Sequence, residues 1–446
     1  MFDDRERRAK TDAHDVALAC LEVGIRAAHP RQVVADAVSL EGGTLHVEEA
    51  TYDLADYDRV VVLGGGKAAG GVAAALEDAL GDRIDDGVVV TTDGAETDRV
   101  TVLDGDHPTP SERNVDGTRR VLERAAAADG DALVLAVVTG GASALWCAPA
   151  EGLSLSDLQA TTDALLESGA SIHEVNAVRK HCSAIKGGRL ASEAAPAAVA
   201  TLAISDVVGD DPSVIGSGPT VADPSTFDDA LAVLEQYDPS VPDAVRERLE
   251  RGAAGEREET PTDDDPVVDR VDWHLLASGR TAIDAAREVA AERGYRTAVL
   301  SSRVRGEASE AGRFHAAIAD EIAATGEPID SPAVVCSGGE TTVTVRGDGT
   351  GGPNQEFALA AALEFADAET DAVCASVDTD GIDGPTDACG AIVDGETITS
   401  DGEDAARRAL AENDVYGLLE DREAVLETGY TGTNVNDLRV LVVESY

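Results

Sequence analysis

Short apolar runs bounded by glycine and polar turns alternate along this chain with longer stretches whose apolar positions recur at helical spacing. The runs fall at 59–63, 87–91, 100–103, 132–138, 199–204, 271–277, 297–301, 333–336, 343–346, 372–376 and 438–444. Their length and aliphatic content predict strands, several of them buried on both faces as in a parallel sheet. Val16, Ala19, Cys20, Val23 and Ala27 share one helical face, so 12–28 is predicted as a first helix, ended by Pro30. Further helices are predicted behind the glycines at 64–66, behind Ser111 as an N-cap, and at 153–168, 171–195, 280–293 and 307–325, with one more ending at Glu364. Alternation of strand and helix in both halves predicts two layered α/β domains. The polar stretch 252–266, with no apolar residue beyond two alanines, is read as the linker between domains 1–251 and 267–446.

Composition changes the picture in two ways. The chain of 446 residues carries 35 Lys plus Arg against 86 Asp plus Glu, a formal charge of −51. The acids are spread throughout, which argues against a disordered tail and for a halophilic protein whose self-repulsion is screened by salt. No basic patch suits nucleic acid or an anionic membrane surface. No apolar run approaches a membrane span, and a cytoplasmic location is expected. Cys20, Cys147, Cys182, Cys336, Cys374 and Cys389 form no C-x-x-C pair and read as small core residues of a reducing compartment.

Lysine is nearly absent: it occurs only at Lys10, Lys67, Lys180 and Lys186. A compact ammonium retained at so few places points to work that arginine cannot do, such as a point charge on phosphate. Lys67 follows Gly64, Gly65 and Gly66 between a predicted strand and helix, where backbone N–H groups and a helix N-terminus favour an anion. Thr139-Gly140-Gly141-Ala142-Ser143 repeats the device after the 132–138 run. Arg179, Lys186 and Arg189 share one face if 171–195 is a continuous helix, and form a candidate phosphate or carboxylate site. Asp206 follows the 199–204 strand at the edge where α/β sheets bind ligands, and suits Mg²⁺ held by one or two carboxylates.

The 64–67 turn is not a Walker A loop, because Ala68 stands where Ser or Thr would hold Mg²⁺. It fits G-x-G-x-x-A at Gly64, Gly66 and Ala69, but the acidic partner would be Asp93, which comes late. No G-x-S-x-G elbow, H-E-x-x-H pair or cysteine cluster is present. Glycine-rich strand-end loops, sparse cations and strand-end aspartates together favour phosphoryl transfer, which needs positioning and charge neutralisation above all.

These motifs resemble the glycerate 2-kinase family. The stretches 64–67, 139–145, 171–181, 186–190 and 205–220 are similar to its N-terminal domain. The stretches 338–341, 351–356, 378–387 and 432–437 are similar to its C-terminal MOFRL domain. The resemblance implies a Rossmann-like N-terminal domain with a mostly parallel sheet and an active site in a cleft between two α/β domains. It implies ATP-dependent phosphorylation of D-glycerate at the 2-hydroxyl, with Mg²⁺ or another divalent cation. Lys67 would neutralise phosphate. Asp206 and Asp380 would serve as metal ligand and as base, in either order. Gly64, Gly65, Gly66, Gly140, Gly141, Ser143, Arg179, Lys180, Lys186, Arg280, Glu340 and Asn354 would bind substrate or ATP. Pro353 stands where the family often has Arg, and Ser278-Gly279 where it often has Asn; Arg280 or Lys180 is expected to replace the missing cation. Other readings are an NAD(P)H-dependent hydroxypyruvate reductase, a kinase for another small sugar acid, and a non-catalytic sensor. A homodimer stays open.

The charge reading generates a prediction. On dilution from molar KCl to about 0.1 M, where the Debye length grows from about 3 to about 10 Å, the protein should lose its fold. Circular dichroism across a KCl series tests this, and an unchanged spectrum at low salt would reject a halophilic origin of the composition.

Overall fold

The computed structural model describes residues 1–366, 368 and 370–444. The chain divides into two compact units: Pro30–Leu276, and Met1–His29 together with Ala277–Tyr446. The expected linker at 252–266 is therefore corrected. That stretch is polar yet anchored within the first of these units. Glu259 accepts a hydrogen bond from the Phe227 N–H (3.0 Å) and meets His181 (3.0 Å), and the Asp223 N–H donates to the Pro261 carbonyl (2.8 Å). Beyond it, the strand Val271–Ala277 completes the same sheet.

Helix Asp12–Ala27 forms as its periodicity predicts, with Thr11 as N-cap, but it belongs with the C-terminal stretch. Gly24 is the point of closest approach. A Cβ there would lie 2.5 Å from Leu438 and 2.8 Å from the Ala282 carbonyl. Asp15 pairs with Arg293 at 2.6 Å on the same contact.

The unit Pro30–Leu276 is built on six strands in the order Val100–Asp104, Asp86–Thr91, Arg59–Gly65, Ala132–Val138, Ala198–Ile204, Val271–Ala277. The first five pair in parallel. Four of them are buried on both faces, which explains their unbroken apolar runs, while Val100–Asp104 at the edge is partly exposed. Chain order reverses between Arg59–Gly65 and Ala132–Val138, because later strands add outward on either side of that pair. A small antiparallel sheet, Val38–Glu41, Thr44–Val47 and Ala50–Asp53, was not expected. The predicted helix 171–195 is also corrected. It is two helices, Ile172–His181 and Arg189–Ala194, parted where Gly187 and Gly188 adopt positive φ (58° and 77°).

The other unit carries a mixed sheet in the order Arg296–Glu307, Ala333–Thr342, Asp437–Val443, Ala372–Asp378, Gly390–Asp394, Val425–Leu426. Only the first pair is parallel. Leu441 and Val443 pack toward the helices Ala308–Thr325 and Pro353–Phe365. Leu438, of opposite parity, meets Gly24 of the first helix, so helices cover both faces. The expected strand 343–346 is irregular chain.

Pro353 opens its helix at a position where a missing N–H costs nothing. The buried helix start is capped from afar: Asp383 accepts from the N–H groups of Asn354 (3.0 Å) and Gln355 (2.9 Å). Burial pushes the Asp383 carboxyl up to about 6, against the pull of those N–H groups. Asp383→Ala should cost about 1–2 kcal/mol, the range for a lost cap, measured by urea unfolding in molar KCl. Because the folded pKa lies above the ordinary aspartate value, the side chain stabilises most at low pH and loses that contribution as pH rises through about 6. The gap between wild type and variant should shrink accordingly between about pH 4 and 6.

Candidate active site

In an open parallel sheet, ligands bind outside the carboxyl ends of the strands where chain order reverses. Here that place holds the loops following Arg59–Gly65 and Ala132–Val138. They are stitched together by backbone: Lys67 N–H donates to the Gly140 carbonyl (2.7 Å), Thr139 N–H to the Gly65 carbonyl (3.0 Å), and Ala68 N–H to Thr139 Oγ1 (3.2 Å). The Thr91 hydroxyl holds the Lys67 carbonyl from the neighbouring strand end (3.1 Å).

This stitching corrects the expected anion cradle at 64–67. The N–H groups of Gly66, Lys67 and Ala68 are spent on protein acceptors. Gly64 and Gly65 are strand residues whose missing side chains admit Val89 and the Trp146 ring; a Cβ on either would come within 2.5 Å. At Gly66, φ is 131° and a Cβ would strike Thr139. The three glycines serve close packing, and the lysine they present is the chemical feature.

Gly140 and Gly141 bring two candidate side chains to consecutive residues. The Asp206 carboxylate lies against Gly140, where a Cβ would come within 2.3 Å of Oδ2. The Lys67 stem and the His107 ring both lie against Gly141, each 3.0 Å from where a Cβ would be. Gly141 also has φ 80°, which glycine adopts without strain. His107, from the rigid loop after Val100–Asp104, was not singled out from sequence. Its signal was position alone, at the carboxyl end of a third parallel strand.

A cavity of about 250 Å³ adjoins this point, lined by His107, Gly141, Ser143, Arg179 and Lys186 among others. Lys186 is 3% exposed and donates to the carbonyls of Ser143 and Trp146, each at 2.8 Å. Burial, with Arg179 nearby, pushes its amine down to about 7. Arg179 donates to the Asn176 side-chain oxygen (3.2 Å), which also accepts from Ser217 (3.1 Å), and Ser217 meets the Ser143 hydroxyl (2.9 Å). Arg179 and Lys186 line one cavity. Arg189 does not join them. The break at Gly187 and Gly188 turns it into another depression with Arg248 and Arg257.

Other expected ligand residues have structural partners. Lys180 is buried against Asp223 at 3.0 Å. Arg280 grips Asp284 with two nitrogens (2.7 and 2.9 Å) on an exposed helix face, so neither cation is left to replace the arginine absent at Pro353. Asn354 spends its amide on Asp383 (3.2 Å) and Asp437 (2.7 Å) beneath the sheet. Glu340 is exposed and stands opposite Arg305 in strand register. Asp380 lies in the loop after Ala372–Asp378, where its carboxylate accepts from the Ile382 N–H (3.0 Å) and Asn434 (3.4 Å). Asp93 accepts from the Gly71 N–H (2.7 Å) and is packed against Gly70, so it is taken up by the helix it would have to leave to hold a ribose. Among the described residues no three metal-type side chains cluster. Mg²⁺ bound through one or two carboxylates, phosphates and water needs no such cluster, and Asp206 and Asp380 each fit that demand.

Residues 16–250 match a domain family of unknown function, DUF4147, and residues 333–437 match the MOFRL family. The chain is 42% identical to a glycerate 2-kinase of Pyrococcus horikoshii, over 97% of its own length and 98% of the relative's. It is 43% identical to a D-glycerate 2-kinase of Thermotoga maritima, over 85% and 90%. The crystal structure of a Thermotoga maritima glycerate kinase superposes with a TM-score of 0.84 at 39% identity, covering 96% of this chain and 99% of that one.

The assignment of Lys180 to structure is testable. Lys180→Met leaves Asp223 buried without its cation and should cost about 3–5 kcal/mol. Lys180→Met combined with Asp223→Leu should recover most of that loss. Urea unfolding in molar KCl measures both, and an undiminished stability in the single variant would return Lys180 to the list of ligand residues.

Proposed function

The chain belongs to the glycerate 2-kinase family, and from that premise we propose that it transfers the γ-phosphoryl group of ATP to the 2-hydroxyl of D-glycerate, with Lys67 and Asp206 at the centre of the reaction. The observation that carries the residue assignment is the pair of consecutive glycines, one against the Asp206 carboxylate and the next against the Lys67 stem, where chain order reverses in the sheet.

Phosphoryl transfer asks the protein for orientation and for charge where charge develops. Lys67 supplies a point charge for the phosphoryl oxygens, and its stem is fixed by the stitched loops beneath it. Asp206 accepts the proton of the attacking hydroxyl. Its position against Gly140 brings the base within one residue of the lysine. Asp380, in its own unit, is proposed as a ligand of the divalent ion that accompanies ATP. That ion, when bound, would screen the phosphates and assist the leaving group. The reductase reading finds no support in Asp93, which is consumed by helix backbone.

The test is an ATP- and Mg²⁺-dependent assay on D-glycerate in molar KCl, coupled through enolase with and without phosphoglycerate mutase. Signal without mutase is expected. Signal only with mutase would move the phosphate to the 3-position and overturn the assignment of the base. Absence of ADP would send the search to hydroxypyruvate and NADH. Lys67→Ala should lower kcat by about 10²–10³, the scale of one lost transition-state contact, with the fold checked by circular dichroism.

A further inference from the structure

We propose that the cavity beside the Gly140–Gly141 step is a recognition pocket for monocarboxylic acids, with Arg179 and Lys186 taking the carboxylate and an apolar helix face taking an aliphatic tail. The proposal rests on the kinase reading for one point only, that the acid so bound is the phosphoryl acceptor or its competitor.

Charge points to an anion. In a chain of net charge −51, this cavity has two cations and no carboxylate among its lining residues. Other depressions are ringed by acids, such as Glu77, Asp78, Glu96 and Asp98 in one of them. Among the described residues, no carboxylate pairs with Arg179 or Lys186. Lys186 meets only carbonyl oxygens, and Arg179 only the Asn176 amide. A desolvated guanidinium without a counter-charge is costly, and the amine beside it is pushed toward neutrality; a bound carboxylate offsets that cost with charge-assisted hydrogen bonds and favours the charged form of Lys186. The guanidinium is held through Asn176, which is 3% exposed and tied to Ser217, so its fork is oriented before a ligand arrives.

Shape points to the acid's tail. One wall is helix Leu155–Glu167, which turns Leu158 and Leu165 into the cavity from positions i and i+7. D-glycerate carries an oxygen on every carbon and offers this wall nothing. An acid with a short alkyl chain does. A triphosphate suits such a wall poorly, which argues against the nucleotide's phosphates as the occupant.

The experiment uses the full chain in molar KCl with butanoate and 2-hydroxybutanoate as probes. Both should compete with D-glycerate and not with ATP. Arg179→Met should raise KM for D-glycerate by about 10- to 100-fold, the range for a hydrogen bond to a charged group, with little change in KM for ATP. Arg179→Lys, which keeps the charge and loses the fork, should fall between. Leu158→Gln should weaken butanoate more than D-glycerate. Direct binding is read from Trp146 fluorescence in a Trp273→Phe background, since the Trp146 carbonyl is an acceptor of Lys186. Competition with ATP instead, or a KM change confined to ATP, would give the pocket to the nucleotide and overturn the proposal. So would a butanoate affinity that Arg179→Met leaves unchanged. If wild type binds butanoate through Arg179 yet never turns over D-glycerate, the pocket stands and the kinase reading fails.

Discussion

The hydrogen bond from the Lys67 N–H to the Gly140 carbonyl fixes the arrangement on which the larger unit's chemistry depends. Two neighbouring parallel strands whose connections leave in opposite directions would otherwise open a crevice at their carboxyl ends. The stitch draws the two loops together at backbone level, and glycines at 140 and 141 leave the space above it to side chains from elsewhere. A methyl group at Gly140 would displace Asp206, and one at Gly141 would press on Lys67 and His107. The site is shaped as much by side chains withheld as by side chains supplied.

Charge follows a similar economy. With 86 acidic residues, carboxylate partners are close at hand for many of the cations. Lys180 is neutralised by Asp223, and Arg280 by Asp284. Lys186 is placed differently: its ammonium fits between two carbonyls, a geometry for a compact point charge that a planar guanidinium would not match. Its depressed pKa records the desolvation that results. Acids are kept out of that lining in a chain rich in them, so nothing in the cavity wall holds the Lys186 amine in its charged form.

How far the sequence carried is best judged at particular elements. The parallel strands were legible because a fully buried strand is an unbroken aliphatic run, and the loops after them because small residues mark strand ends. Asp206 was singled out by that edge rule, and Lys67 by the scarcity of lysine and the glycines before it. The glycines at 64–66 were misread, because an anion cradle and a tight backbone crossing need the same residue. Only the positions of Trp146 and Thr139, distant in sequence, separate the two. The break in 171–195 was hidden for a related reason. Gly187 and Gly188 can sit in a helix at modest cost, and what turns them out is a pair of hydrogen bonds to the carbonyls of Ser217 and Gly218. The linker failed because polarity reports exposure, while the contacts of Glu259 and Pro261 are tertiary.

Recognition of a small acid and transfer of a phosphoryl group make different demands. The first needs a directional fork in a dry pocket, the second a point charge held near developing negative oxygens. The loop after Ala132–Val138, which the two proposals share, is held at three places. The Gly140 carbonyl is held by Lys67 N–H, the Ser143 carbonyl by Lys186, and the Ser143 hydroxyl by Ser217 and, through it, Asn176 and Arg179. Anything that shifts this loop moves the lysine at one end and the guanidinium's support at the other. Lys67 and Arg179 are therefore mechanically joined through a few residues. Small displacements there should be expensive, because orientation is most of what the protein contributes to this class of reaction.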